Sequence, residues 1–322
     1  MLVAYAFSGG SLRPVPLESG EVPPAAIWID LVSPTPSEDA AVERSVGVEV
    51  PTREEMRKIE PSSRLYVEDA ARYMTLSVLC TDDDGPRVTP VTFILVDGRL
   101  VTVRYADPRA FALLAGRLGK SCPAEVAGDV VLMELLETLV DKIAEALEGA
   151  GEDIELLSRR IFERDRVGSR NRDYRAILTL IGRKEGLTSY VREALASVSR
   201  LVAFLGTTTE DVPLRPAVKR ELKSMARDVQ GLSDYANFLG NKLQFMLDGT
   251  VGLVSLEQNN IIKIFAVLSV IFMPPTLIAS IYGMNFEHMP ELGIAVAYPI
   301  ALVAMVVSAI LPYVFFKWRG WL

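Results

Sequence analysis

The residues whose types and spacing could do chemistry lie near the C-terminus. Tyr282-Gly283-Met284-Asn285 is followed by Phe286-Glu287-His288-Met289-Pro290-Glu291-Leu292. Upstream, Asn259, Ile262, Phe265, Ser269, Met273, Thr276 and Ser280 succeed one another at spacings of 3, 3, 4, 4, 3 and 4, which puts them on one helical face. Asn285 extends that line just beyond the helix. The line offers amide, hydroxyl and apolar groups but no carboxylate. A site that strips water from a hard divalent cation wants carboxylates, because such a cation dehydrates reluctantly. Neutral amide oxygens at Asn259 and Asn285 could instead hold the water shell of a passing ion. Ile262 and Phe265 would make an apolar constriction that gates by dewetting. The stripe has a second reading as well, since Ser, Thr and Asn on a spanning helix also serve helix–helix hydrogen bonding. A water-facing lining needs several copies of the chain, because two helices cannot enclose a pore.

Other chemistry is scarce. His288 is the only histidine, which removes most His-based catalytic and zinc-site readings. Beside Glu287 it could ligate a transition metal, but one imidazole with one carboxylate reads as an ordinary loop. Gly119-Lys120-Ser121 resembles the end of a phosphate-binding loop, yet position 114 is Leu where that motif needs Gly. Asp82-Asp83-Asp84 reads as a solvated acidic turn. No nucleophile–base pair is visible, so the chain does not read as an enzyme and no cofactor is expected. The net charge of -7 argues against nucleic acid as a partner. Cys80 and Cys122 have no metal-type spacing and are expected to be reduced.

Two apolar runs must position the motif. Ile264 to Phe286 and Leu292 to Phe316 contain no charged residue. Each is long enough to cross a bilayer as a helix, which takes about 20 residues. Lys263 precedes the first run and Lys317 and Arg319 follow the second, whereas the connecting loop has Glu287 and Glu291 and no Lys or Arg. Basic residues stay on the cytoplasmic side, so both termini are expected in the cytoplasm and the loop outside. The N-terminus has no basic stretch followed by an apolar core, so no signal peptide is expected. The chain is then a multi-pass protein of the plasma (inner) membrane, with lipid as a partner. Pro274-Pro275 breaks the hydrogen-bond ladder of the first span.

The spacing predicts a cytoplasmic α/β domain over 1–125. Within it, strands are expected at Leu2–Phe7, Ala26–Leu31 and Tyr73–Cys80. A hairpin is expected with Asp97-Gly98 as its turn, and a helix from Asp107-Pro108 to Leu118. Thr52-Arg53-Glu54-Glu55 fits the start of a further short helix. A helical region over 126–260 includes a long stalk helix. On it Leu222, Met225, Val229, Leu232, Ala236, Leu239, Leu243, Met246, Thr250 and Leu253 form a heptad-like seam. That seam could pack on the chain's own helices or assemble copies around an axis. The remaining segments are a first span at 261–282, an external loop at 283–292, a second span at 293–316 and a basic tail at 317–322.

Tyr-Gly-Met-Asn-Phe, two residues, then Met-Pro-Glu-Leu, between two C-terminal spans, resembles the CorA magnesium transporter family. The match extends through Glu257-Gln258-Asn259, Ile261 to Phe265, Pro274 to Leu277, Tyr298-Pro299, Pro312-Tyr313 and Lys317. Trp28-Ile29-Asp30-Leu31 resembles an early strand of the family's cytoplasmic domain. The resemblance implies an α+β cytoplasmic domain, then long helices and two transmembrane helices, assembled as a funnel-shaped homopentameric channel. It implies Mg2+ as transported and regulatory ion, with Co2+ and Ni2+ able to share the path. Gly283, Met284 and Asn285 would form the outer selectivity ring, with Asn285 contacting hydrated Mg2+. Asn259 would sit at the inner mouth, Ile262 and Phe265 at the gate, and Met273 and Thr276 midway. Ile and Phe stand here where some relatives carry Met and Leu at the gate, which leaves its width open. Glu287 and Glu291 would concentrate cations outside, and Lys317 and Arg319 would form a cytoplasmic basic ring. Two rival readings stand beside this one: a transporter of another divalent ion such as zinc, and a pore-less membrane-anchored coiled-coil scaffold.

Overall fold

A computed structural model describes the chain except for residues 18–19, 84, 123–125, 163–172, 208–214, 285–288, 295 and 321–322, and except for the side chains at 61, 291 and 292. Contacts divide the chain into two compact units, Met1–Met246 and Leu247–Leu322.

The first unit is built on a seven-stranded sheet in the order β2-β1-β3-β7-β6-β5-β4. Its strands are β1 Leu2–Ser8, β2 Ser11–Val15, β3 Ala26–Val32, β4 Leu65–Glu68, β5 Ala71–Asp82, β6 Gly85–Val96 and β7 Arg99–Arg104. Only β3 and β7 pair in parallel; the other pairs are antiparallel. The β6–β7 turn is the expected Asp97-Gly98. Its φ angles of 48° and 73° are both left-handed, as this tight hairpin requires.

Alternation along the strands gives the sheet two apolar faces. One face buries Ile29, Leu31, Tyr73, Ile94, Val96, Val101 and Val103 with Val42 and Val46 of helix α1 (Pro36–Val46). The other carries Trp28 and meets α2 (Arg109–Leu118) through a Trp28–Phe111 ring contact at 6.4 Å. Helices α3 (Gly128–Phe162) and α4 (Tyr174–Gly206) follow. Ser197 Oγ on α4 accepts the Ser77 N–H of β5 at 2.9 Å, tying helix to sheet. The helices therefore belong to one body with the sheet, and position 125 does not divide compact units.

The segment Trp28-Ile29-Asp30-Leu31 holds a buried polar network. Trp28 Nε1 donates to Thr102 Oγ1 at 3.0 Å, and Thr102 Oγ1 donates to Asp30 Oδ1 at 2.7 Å. Arg104 Nη2 donates to Asp30 Oδ2 at 2.9 Å, and its guanidinium lies 4.5 Å from the Phe111 ring centroid.

Helix α5 runs from Pro216 to Tyr282, 67 residues, through Pro274 and Pro275. Its expected seam is buried at Leu222, Met225, Val229, Ala236, Leu239, Leu243 and Met246. Lys242 Nζ meets Glu155 of α3 at 2.5 Å, and the Phe245 ring lies tilted against Phe162 of α3 with centroids 5.4 Å apart. This seam is covered within a single chain, so its burial calls for no second copy. Gly231 and Gly252 face open space, whereas a Cβ at Gly240 would lie 3.3 Å from the Arg192 guanidinium of α4.

Thr52 and Glu55 do form a capping box, with Thr52 N–H to Glu55 Oε2 at 3.0 Å, but the helix it starts is a single 3-10 turn, Glu55–Arg57. Asp82 pairs with Arg87 at 2.6 Å in the β5–β6 turn; Asp84 lies outside the described residues. Cys80 and Cys122 are both free. Gly119 is the C-cap of α2, the wrong helix end for an anion, so Gly119-Lys120-Ser121 is no phosphate loop.

Candidate functional site

The second unit contains the end of α5, a 3-10 turn at Pro290–Gly293 and helix α6 (Ala297–Trp318). The second apolar helix thus starts at Ala297, later than the expected 293, because the Pro290 turn intervenes, and it reaches Trp318. Two helices here are long and apolar enough to cross a membrane, α5 and α6. Their apolar stretches are almost wholly exposed, which is what lipid-facing surfaces require and water does not tolerate.

Asn259, Ile262, Phe265, Ser269, Met273, Thr276 and Ser280 all lie on α5 and all are exposed. At about 100° per residue they occupy one arc of the helix roughly a third of a turn wide. The buried or half-buried positions, Val267, Ile271, Pro274, Pro275 and Ile278, occupy the opposite arc. The chain therefore covers the side of α5 away from the stripe and leaves the polar side open. Two hydroxyls on the stripe have backbone partners: Ser269 Oγ donates to Phe265 O at 2.9 Å and Thr276 Oγ1 to Phe272 O at 2.7 Å. They need no second helix for a partner, and they still present oxygen lone pairs to whatever lies in front of them.

The helix closes at the motif. Gly283 N–H donates to Ala279 O at 2.9 Å and Met284 N–H to Ile281 O at 3.3 Å, so the chain leaves the helix one turn before Asn285. A Cβ at Gly283 would sit 3.2 Å from Ala279 O, tighter than an ordinary contact. Asn285, Glu287 and His288 fall outside the described residues, as does the side chain of Glu291. Lys317 and Arg319 are exposed at the end of α6, with the Arg319 guanidinium 5.9 Å from the Phe315 ring centroid.

One feature at the motif was not anticipated from the sequence. Gly283 borders an apolar recess of about 580 Å³ between the end of α5 and α6, lined on α6 by Tyr298, Ala301, Leu302 and Met305. Their spacing of 3, 1 and 3 is a helical face. It is invisible in a helix that is apolar all round, because no polar side marks it off. Small residues at Ala279, Gly283 and Ala301 let the two helices come close beside the motif.

Among the described residues no group of three or more His, Cys, Asp or Glu is arranged to hold a metal ion. The described part of the stripe offers neutral oxygens and apolar groups alone.

The CorA-like Mg2+ transporter protein family model matches residues 24–318. The chain belongs to the CorA-like Mg2+ transporter family. It is 34% identical over 324 residues to the magnesium transport protein CorA of Pasteurella multocida, covering 100% of both chains. It is 33% identical over 323 residues to the magnesium transport protein CorA of Escherichia coli K12, again covering 100% of both. The fold agrees with the complete structure of the CorA magnesium transporter from Methanocaldococcus jannaschii, at a TM-score of 0.80 and 18% identity, covering 100% of this chain and 99% of that one. The cytoplasmic domain of ZntB from Vibrio parahaemolyticus is also similar in fold, at a TM-score of 0.58 and 13% identity over 79% of this chain and 97% of that one. An α+β domain followed by long helices and two apolar C-terminal helices is thus the architecture of this transporter family.

Proposed function

We propose that the protein is a magnesium channel of the inner membrane that passes hydrated Mg2+ down the membrane potential. The observation that carries this is the full-length similarity, at 33–34% identity, to proteins named for magnesium transport. The uncovered polar arc of α5, which leads to Gly283-Met284-Asn285, supports a water-filled path. Copies assemble as a homopentamer with that arc facing the axis, which gives the oxygens of Asn259, Ser269, Thr276 and Ser280 water to face. Asn285 forms the outer ring, with Gly283 and Met284 setting its height, and its amide oxygen accepts hydrogen bonds from the ion's water shell. Ile262 and Phe265 close the path by dewetting, and Asn259 forms the inner mouth. Both termini lie in the cytoplasm, Glu287 and Glu291 draw cations to the outer mouth, and Lys317 and Arg319 ring the inner side. Co2+ and Ni2+, hydrated ions of like charge, share the path, and cytoplasmic Mg2+ closes it.

Transport of zinc is the second reading, supported by the fold similarity to the ZntB domain. The identities to magnesium transport proteins are more than twice as high and span the whole chain, and they favour Mg2+.

The test is Mg2+ uptake into proteoliposomes with an ion-sensitive dye, for the wild type and Asn285→Ala. The variant is expected to lose uptake while its oligomer keeps the wild-type mass. Normal uptake by Asn285→Ala would sink the filter assignment. A wild type that moves no ion would favour the pore-less scaffold, and uptake of Zn2+ in preference to Mg2+ would favour the second reading.

A further inference from the structure

The first unit carries a groove of about 680 Å³ between α3 and α5, and its use rests on the ring proposed above. Its floor is apolar, with Met133, Met225 and Leu232, and its walls carry Glu137 and Asp141 from α3 and Glu221 and Asp228 from α5, with Arg227 as the one cation among them. Glu134 also lines it and pairs with Arg117. Among the described residues, the other four carboxylates have no ion-pair partner. Glu137 and Asp141 stand four apart, a like-charge spacing that disfavours a helix by itself. Burial and its acidic neighbours push the Glu137 carboxyl above the usual range.

On α5 at the same level, Lys219, Arg220 and Lys223 are exposed and have no carboxylate partner among the described residues. Lys219 and Lys223 form a second like-charge pair at four-residue spacing. This basic arc lies nearly half a turn round α5 from Glu221 and Asp228. The two arcs cannot meet within one chain, because they point in different directions from one helix.

Copies inserted the same way into one membrane are related by rotation about the membrane normal. Residues at one level of α5 therefore face that same level on a neighbour. A twofold pair would present one arc to one partner, whereas two arcs nearly half a turn apart address two different neighbours, which is the heterologous contact that closes a ring.

We infer that the acidic α3–α5 groove of each copy receives the Lys219–Lys223 face of α5 from the next copy around the ring. Each face then neutralises the like-charge ladder of the other, and the cations' alkyl stems cover the apolar floor. Such charge matching fixes register and direction around the ring.

The test uses the full chain in detergent, with oligomer mass read by native mass spectrometry. Lys219→Glu/Lys223→Glu and Glu137→Lys/Asp141→Lys are each expected to lower the assembled fraction about tenfold at limiting concentration, with circular dichroism unchanged. All four changes in one chain swap the charges and should restore assembly. Oxidation of a Lys223→Cys/Asp141→Cys chain should give a ladder of cross-linked copies up to the full ring, while either single cysteine should give none. If the wild type assembles but reversal and cross-linking have no effect, the contact is overturned and the ring stands. A monomeric wild type overturns the ring itself. If reversal leaves assembly intact but removes the response to added Mg2+, the groove is a cation site and the inference also fails.

Discussion

At the scale of single residues, two side-chain sets carry opposite duties. Asp30 and Arg104 are charged yet almost wholly buried, and they hold each other through two nitrogens of one guanidinium. Such a pair adds little over an apolar replacement of the same shape, but removing Asp30 leaves the buried Arg104 guanidinium with the exposed Asp107 carboxylate and the Ala106 carbonyl alone, which costs up to about 3–5 kcal/mol. Asp30→Ala should therefore lower the denaturation midpoint of the detergent-solubilised chain by several degrees; a change inside experimental scatter would show that the network bears no weight. Phe265 has the reverse character. It is apolar, exposed in the single chain and flanked on its arc by Ile262 and Ser269. If dewetting closes the path there, Phe265→Ser should hydrate the constriction, raise Mg2+ leak in proteoliposomes held at high internal Mg2+, and leave the fold unchanged. A variant that stays as tight as the wild type under those conditions would place the gate elsewhere.

At the scale of elements, α1 shows how a local signal sets an ionisation. Its capping box has Thr35 N–H donating to Glu38 Oε2 at 2.9 Å and the Thr35 hydroxyl donating to the same oxygen at 3.1 Å. The backbone N–H of Thr35 is the main reason the Glu38 carboxyl lies below the usual range. A lowered folded value means stability that is fully present above the unfolded value of about 4.3 and is lost as pH falls through the folded value. Glu38→Gln should then be less stable than the wild type at pH 7, with the gap closing below about pH 4; a gap that persists at pH 3 would mean the charge is not what the cap uses. The same local signals made most elements legible from sequence. Asp97-Gly98 fixed the β6–β7 hairpin, and the β-branched run at Ala26–Leu31 marked β3. The strands that went unread, β2 and β4, are the two edges of the sheet. They are short, β2 contains Pro14, and each pairs on one side alone, so neither shows the apolar alternation of a central strand. In the candidate site the stripe was legible because polar groups interrupt an apolar helix at regular spacing. The α6 face at Tyr298, Ala301, Leu302 and Met305 was not, because nothing polar interrupts it.

At the scale of the whole molecule, the composition of the spans supports the proposed drive by the membrane potential. Carriers that couple uptake to protons place titratable groups within the membrane, where each is costly and is kept for that use. The stretches Ile264 to Phe286 and Leu292 to Phe316 contain no Asp, Glu, His, Lys or Arg. Nor does the chain contain a phosphate-binding loop through which a nucleotide could supply the work. The proposed source is the membrane potential, which acts on any path open to charge. Moving two charges inward is worth about 4–5 kcal/mol per 100 mV, which corresponds to an equilibrium accumulation of more than about a thousandfold. Proteoliposomes given an inside-negative potassium diffusion potential should accumulate Mg2+ steeply with that potential, without ATP and with no change when a pH gradient is imposed or collapsed. Uptake that follows the pH gradient and ignores the potential would mean that a proton-bearing group serves the path. His288, the one histidine in the sequence and next to the motif, would then be the residue to replace first.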